Sequence, residues 1–387
     1  GLGDVYKRQT SAEKVEGLKH IWGRTDLIPL WVADMDFATA PFVTDAIRKR
    51  CENEVLGYTG KPDSYYNAII NWVKQRYDLI VTKEVINFVP GIVPGIGMAM
   101  NCFTQKGDKV MIQPPVYHPF AWVTTRNERT LVINPLKWEN GMYRMDLDAF
   151  REQIKGCKLF ILCNPHNPGG VVWTEAELRA IADICYDEKV LVFSDEIHAD
   201  LTLPPHTHRP FATVSEKARM NSVTFMSPSK AFNMPGLSAS HALIFNEDLR
   251  KRFRIYMDAG ELDMGHVFAF LSVEAAYSHG TEWLDQCLAY IQGNIDFVDE
   301  FLKKHAPKIK AIRPEASYLV WLDCRELELS QKDLNEFFVD KAHLALNDGE
   351  MFGKEGIGFM RLNVASPRCI IEKAMKQLAD AYQLYIK

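Results

Sequence analysis

The chain has 387 residues, 47% of them hydrophobic, and a formal charge of -5, enough apolar material for one large domain with a smaller lobe, or for two domains. Acidic and basic residues are interspersed, so no basic patch suits a phosphate backbone, and nucleic acid is excluded as the main partner. No apolar run reaches the ~18 residues a bilayer demands, no charged-then-apolar signal pattern opens the chain, and the eight cysteines form no CxxC pair. A cytoplasmic globular protein with reduced thiols, no membrane association and no zinc site is expected.

Residues 1–9, GLGDVYKRQ, differ in texture from the rest of the chain and read as a cloning or assembly scar. Residues 10–40 are expected to join a small domain. The stretch DSYYNAIINWVKQRYD (63–78) has amphipathic helical spacing. After it come short, mostly continuous apolar runs: VINFV (85–89), DKVMIQ (108–113), RTLVINP (129–135), KLFILC (158–163), VLVFSD (190–195), SVTFMS (222–227) and HALIF (241–245). Such runs are strands whose two faces are both covered by helices. One covering helix, TEAELRAIADICYDEK (174–189), opens with a Thr cap and acidic first-turn residues. The pattern predicts an α/β fold, a large domain over 41–280 with a mainly parallel sheet. Past about residue 280 the texture changes to one long helix, GTEWLDQCLAYIQGNIDFVDEFLKKHAP. Strands near SYLVWLD and GFMRLNVA and a terminal helix from Pro367 complete a smaller α+β domain over 281–387.

Ligands of open α/β sheets gather at the carboxyl ends of the strands. Three motifs fall there. VLVFSDEIHADL ends its strand in Asp195, Glu196 and His198, although a carboxylate at this point also serves as a helix or turn cap. LFILCNPHNPGG runs into Asn-Pro, Asn-Pro and Gly-Gly, which taken alone is turn chemistry. SVTFMSPSKAFN stops just before Lys230, the only Lys, Arg, Asp or Glu between Met220 and Asn246. A lone lysine is usually a solvated surface group, but surface segments seldom run this long without another charge.

A desolvated lysine favours its neutral amine, the nucleophile that forms a Schiff base with an aldehyde. That chemistry suits pyridoxal 5'-phosphate, and the same strand ends offer its other needs. Asp195 is the carboxylate for a pyridine nitrogen. Tyr117, in PPVYHPF, is a ring to stack on, or else an ordinary core or rim tyrosine. Gly91, Ile92 and Val93 precede a helix whose free amides attract phosphate, unless they form a plain Pro-Gly turn. Ser227 and Ser229 add hydroxyls beside the lysine.

From Asp34 to Arg361 the order of these motifs resembles a fold-type I pyridoxal-phosphate enzyme of the class I/II aminotransferase superfamily, most closely the MalY/PatB-like cystathionine β-lyase group. The resemblance rests on WVADMDFATAP, LGYTG, NPHNPGG, SDEIHADL, SPSKAFNMPGL and FMRLNVASPR. It implies that Lys230 is the Schiff-base lysine, that Asn167 contacts the ring hydroxyl and that His198 and Ser238 stand beside the cofactor. It also implies that Arg361 holds a substrate α-carboxylate in a two-pronged pair, with Asp34 and Asn363 on the substrate side. Tyr58 would reach a phosphate in the neighbouring subunit, making a homodimer with shared active sites. Gly169 stands where the family usually has Thr. His198 and Ser238 stand where many aminotransferases carry a tyrosine and a phosphate-binding arginine, which favours the lyase group. The expected activity is carbon–sulfur β-elimination from cystathionine, cysteine or S-substituted cysteines. An aminotransferase of L-amino acids is the alternative, since both reactions need the same electron sink. A regulatory or partner-binding protein on the same fold is the further one.

Overall fold

A computed structural model describes residues 11–385; the expected scar at residues 1–9 lies outside them. Seven strands form the larger sheet: β1 (Ile86–Val89), β2 (Lys109–Ile112), β3 (Thr130–Ile133), β4 (Cys157–Cys163), β5 (Leu191–Asp195), β6 (Ser222–Met226) and β7 (Ser240–Leu243). Their order is β1-β7-β6-β5-β4-β2-β3. All neighbours are parallel except β7, which runs antiparallel to both β1 and β6. Each expected apolar run is a strand. In β1, β6 and β7 every residue is buried, because helices close both faces and leave no solvent side to demand polar alternation. Truncating a side chain such as Phe160 or Phe225, both fully enclosed, would cost about 3–5 kcal/mol through lost contacts and the cavity left behind.

Register aligns the ends of the central strands. Cys163 lies opposite Asp195, and Asp195 opposite Phe225, so the loops leaving β4, β5 and β6 start side by side. Two successive antiparallel pairings bring the carboxyl end of β1 to that same edge. There Ser240, the first residue of β7, pairs with Val89, the last of β1. The helix Glu175–Asp187 starts with a reciprocal capping box between Thr174 and Glu177, as its sequence predicts.

The smaller sheet is antiparallel throughout: β8 (Lys310–Ile312), β9 (Leu319–Asp323), β10 (Asn347–Asp348) and β11 (Phe359–Asn363), in the order β8-β9-β11-β10. The helices Thr281–His305 and Arg368–Tyr385 each place an apolar face in a shared core with this sheet. The short strand Ile28–Pro29 pairs with Leu344–Ala345, which ties the N-terminal segment to this part of the molecule. From there residues 31–37 cross back toward the large sheet. All eight cysteines are free, and among the described residues no helix is long and apolar enough to span a membrane and no cluster of metal ligands occurs.

Candidate active site

The aligned strand ends enclose a cavity of about 310 Å³. Lys230, Asp195, Asn167, Tyr117, His198, Ser229, Ser238 and the Gly91–Val93 turn all line it. Residues separated by up to 147 positions in the sequence (91 to 238) thus meet at one sheet edge.

Lys230 is half-buried, and the part it exposes lines the cavity. Its Nζ donates to the carbonyl of Ala33 at 2.6 Å. Among the described residues no carboxylate lies within ion-pair distance of it, and enclosure by protein pulls its pKa down to about 8; Asp34 and Asp195 oppose that fall and Arg361 adds to it. Asp195 is buried, and its one hydrogen bond from the backbone, Ile197 N–H to Oδ1 at 3.1 Å, does not offset desolvation, which lifts its pKa to about 7. The adjacent carboxylate has the opposite fate. Glu196 accepts from Ser194 Oγ (2.8 Å) and Phe211 N–H (2.8 Å) and pairs with His208 Nε2 (2.7 Å), so it is a structural anchor turned away from the cavity. His198 is buried with Nδ1 unpartnered, and desolvation drops its pKa to about 3, leaving a neutral ring.

The helix Ile92–Phe103 begins at this edge without a side-chain cap, so the first-turn amides of Ile92 and Val93 lack intrahelical partners and face an anion site. Ser229 and Ser238 add hydroxyls to the same wall. Ser238 holds a left-handed backbone, φ 48°, at the end of the turn Pro235–Leu237. Ser227 lies behind Ser229: it accepts from Ser229 N–H at 3.1 Å and donates to the carbonyl of Ala239 at 2.8 Å. It supports the wall without forming it, since its hydroxyl is spent on Ser229 and Ala239.

Arg361 is buried beside Asn167. Its Nη1 donates to Asn167 Oδ1 (3.1 Å) and its Nη2 to Asn347 Oδ1 (2.5 Å) and the carbonyl of Trp31 (3.2 Å). All three acceptors are neutral, Nε has no partner, and burial lowers the guanidinium to about 10. With its oxygen engaged, Asn167 has its NH2 left for a ligand. Asn363 stands elsewhere than expected: its amide is consumed by the carbonyls of Val32 and Asp34, both at 2.7 Å, and by Ala365 N–H at 2.8 Å. It holds the 31–37 segment and presents nothing to a substrate. Asp34 is not among the cavity-lining residues and lies 3.6 Å from Lys14. Tyr58 is 97% exposed, in a stretch where residues 51–60 are all exposed, and lies away from the cavity of its own chain. Cys163, Ala33, Ser240 and Ile197 also line the cavity, and Asn347 and Tyr318 support it. None of these stands out in the sequence. Cys163 becomes visible only through its register opposite Asp195.

A mixed sheet opened at one edge around a lysine of lowered proton affinity marks the class of α/β enzymes that act on small molecules through that amine. The chain belongs to the aminotransferase class I and II family, whose model matches residues 25–378. It is 37% identical to cystathionine beta-lyase PatB of Bacillus subtilis (strain 168) over 374 residues, 96% of this chain and 97% of the relative. Among solved structures, cystalysin from Treponema denticola, which contains a pyridoxal 5'-phosphate cofactor, superposes with a TM-score of 0.95 at 33% identity, covering 98% of both chains. The PLP-bound C-S lyase from Staphylococcus hominis does so at 0.89 and 34%, over 97% of this chain and 96% of the other.

Proposed function

We propose that this chain is a pyridoxal-phosphate-dependent carbon–sulfur β-lyase that converts cystathionine, cysteine or related S-substituted cysteines, with water, to a thiol, pyruvate and ammonia. One observation carries the reading: charges without countercharges gather at a single cavity, Asp195 and the helix start in its wall and Arg361 directly behind its Asn167. Asp195 is a buried carboxylate awaiting a cation, Arg361 a buried cation awaiting an anion, and the start of the helix Ile92–Phe103 a second anion site. A protonated pyridine nitrogen, an α-carboxylate and a phosphate complete that set. The residues therefore fit the cofactor: Ile92, Val93, Ser229 and Ser238 for the phosphate, Asp195 for the ring nitrogen, Asn167 for the ring oxygen, and Tyr117 and His198 beside the ring.

When bound, pyridoxal phosphate supplies an aldehyde and an electron-withdrawing ring that takes up charge from the substrate α-carbon. Lys230 Nζ would hold the cofactor through its aldehyde and, once free, would take the substrate α-proton as general base. Asp195 holds the proton on the ring nitrogen. Arg361 fixes the α-carboxylate by its paired N–H groups and so sets which α-bond faces Lys230. The thiol leaves from the β-carbon.

The enzyme is read as a cytoplasmic homodimer, with residues 41–280 as the cofactor domain and residues 10–40 with 281–387 as the smaller one. Supporting the dimer are the exposed Val55, Leu56 and Tyr58 and a recess of about 620 Å³ between residues 56–61 and 263–267. Mixed dimers of Tyr58→Ala and Lys230→Ala chains should regain one active site per dimer if Tyr58 serves its neighbour; mixed dimers that stay inactive overturn that role. The test of the activity is incubation with pyridoxal phosphate and L-cystathionine. Pyruvate and thiol are expected without any keto acid. Turnover that appears only when a keto-acid acceptor is present would assign an aminotransferase instead.

A further inference from the structure

Asn233 stands three residues after Lys230, outside the cavity lining, in a left-handed conformation with φ 53°. Its side chain is fully engaged with one segment. Oδ1 accepts from Met35 N–H at 3.0 Å, and Nδ2 donates to the carbonyls of Met35 (3.1 Å) and Phe37 (2.7 Å). Its own carbonyl accepts from Thr39 Oγ1 at 2.7 Å. The segment it grips, residues 31–37, is the strap that joins the two ends of the site. Arg361 donates to its Trp31 carbonyl, while Lys230 and Tyr318 donate to its Ala33 carbonyl, at 2.6 and 3.0 Å.

We propose that Asn233 is a positioning residue that locks this strap to the turn carrying Lys230, and so sets the spacing between the amine and the arginine that an α-amino acid must bridge. The inference rests on the reading of Lys230 and Arg361 as the amine and the carboxylate clamp for such a substrate. Asparagine is suited to the task for two reasons. It tolerates the left-handed backbone better than most residues with a side chain, and its amide carries donors and an acceptor together. Aspartate keeps the backbone preference and the acceptor but loses both donor contacts; glycine keeps only the backbone freedom. The three substitution states thus separate the clamp from backbone strain.

The experiment compares wild type, Asn233→Asp and Asn233→Gly by hydrogen exchange of the cofactor-free protein, by pyridoxal-phosphate affinity, and by steady-state kinetics. Asn233→Gly is expected to speed exchange across residues 33–37 at least about tenfold and to raise KM for the amino acid about tenfold or more, with cofactor affinity within about twofold of wild type. Asn233→Asp, whose carboxylate oxygen would meet the Met35 and Phe37 carbonyls where the amide donated, should perturb both at least as much as glycine. Unchanged exchange and KM in the glycine variant, or a parallel loss of cofactor affinity, would overturn the proposal, the latter because it marks general loosening. Should the glycine variant not fold, the wild-type Met35 amide decides: slow exchange supports the clamp and free exchange refutes it. Exchange and cofactor affinity are independent of the reaction catalysed, so absence of pyruvate from wild type would sink the lyase reading alone, and KM would then be read in the transamination assay.

Discussion

Two lysines hold the 31–37 strap, and their surroundings give them different chemistry. Lys14 is fully buried and bonded to both oxygens of Asp36, at 2.9 and 3.0 Å, with Asp34 at 3.6 Å. Lys230 reaches the same strap through a neutral carbonyl, is enclosed by protein without an ion-pair partner among the described residues, and loses proton affinity to about 8. Burial penalises an ammonium in either place; at Lys14 carboxylates in contact offset the penalty, whereas at Lys230 the more distant Asp34 and Asp195 offset it only in part. A paired buried lysine is a strut, and an unpaired one in a cavity keeps its amine available for chemistry.

The contrast breaks most visibly at the nucleophile. Lys230→Ala should lower kcat by about 10⁴ or more, because the covalent partner and the general base vanish together, while thermal unfolding of the cofactor-free protein changes little. Turnover near wild type would place the amine elsewhere. Next comes the lone buried cation: Arg361→Ala should raise KM for the amino acid about 100-fold, the cost of an α-carboxylate left without its charged partner, with the absorption spectrum of the resting enzyme unchanged. A normal KM rules out the clamp.

On the structural side, Lys14→Met should cost about 2–3 kcal/mol in denaturant unfolding, below the figure for fully enclosed pairs because both carboxylates touch solvent. Its effect on the cofactor-free reactivity of Lys230 should be small by comparison. The smallest effect is a shift in pH. An amine reacts with aldehydes in its neutral form, which prevails above its pKa, so labelling of Lys230 in the cofactor-free protein should rise with pH to a half-point near 8, against about 10.4 for a solvated lysine. A half-point near the solvated value would show that the amine is not desolvated, and the contrast with Lys14 would fail.

Much of this was legible because strand ends carry chemistry in linear order. SDEIH, NPHNP and SPSK each place a functional group within a few residues of an apolar run, and the charge-free stretch around Lys230 foreshadows its desolvation. Other features escaped for identifiable reasons. The helix Val267–His279 is apolar on nearly every face, since seven of its residues are buried, and so shows no amphipathic period. The edge hairpin Lys137–Glu139 with Met142–Arg144 is too short for strand alternation to register. Ser227 and Ser229 look equivalent two residues apart, yet one supports the cavity wall and the other forms it. Asn363 looks like a substrate contact beside Arg361 but is spent on backbone carbonyls.

By itself the sequence determined the α/β class and the seven strands of the large sheet, and it singled out Lys230, Asp195 and Asn167 as the proposed amine, ring carboxylate and ring-oxygen partner, since each depends on local periodicity or on a motif of a few residues. Tertiary structure alone decided which of those groups are left without countercharge. Asp195 and Glu196 are neighbours in the chain, and only the arrival of Ser194, His208 and the Phe211 amide at one of them separates the cavity carboxylate from the anchor. The grip of Asn233 on a strap about 200 residues earlier in the chain is equally invisible in one dimension. Ionisation energies depend on what surrounds a charge in space, and sequence order does not record that.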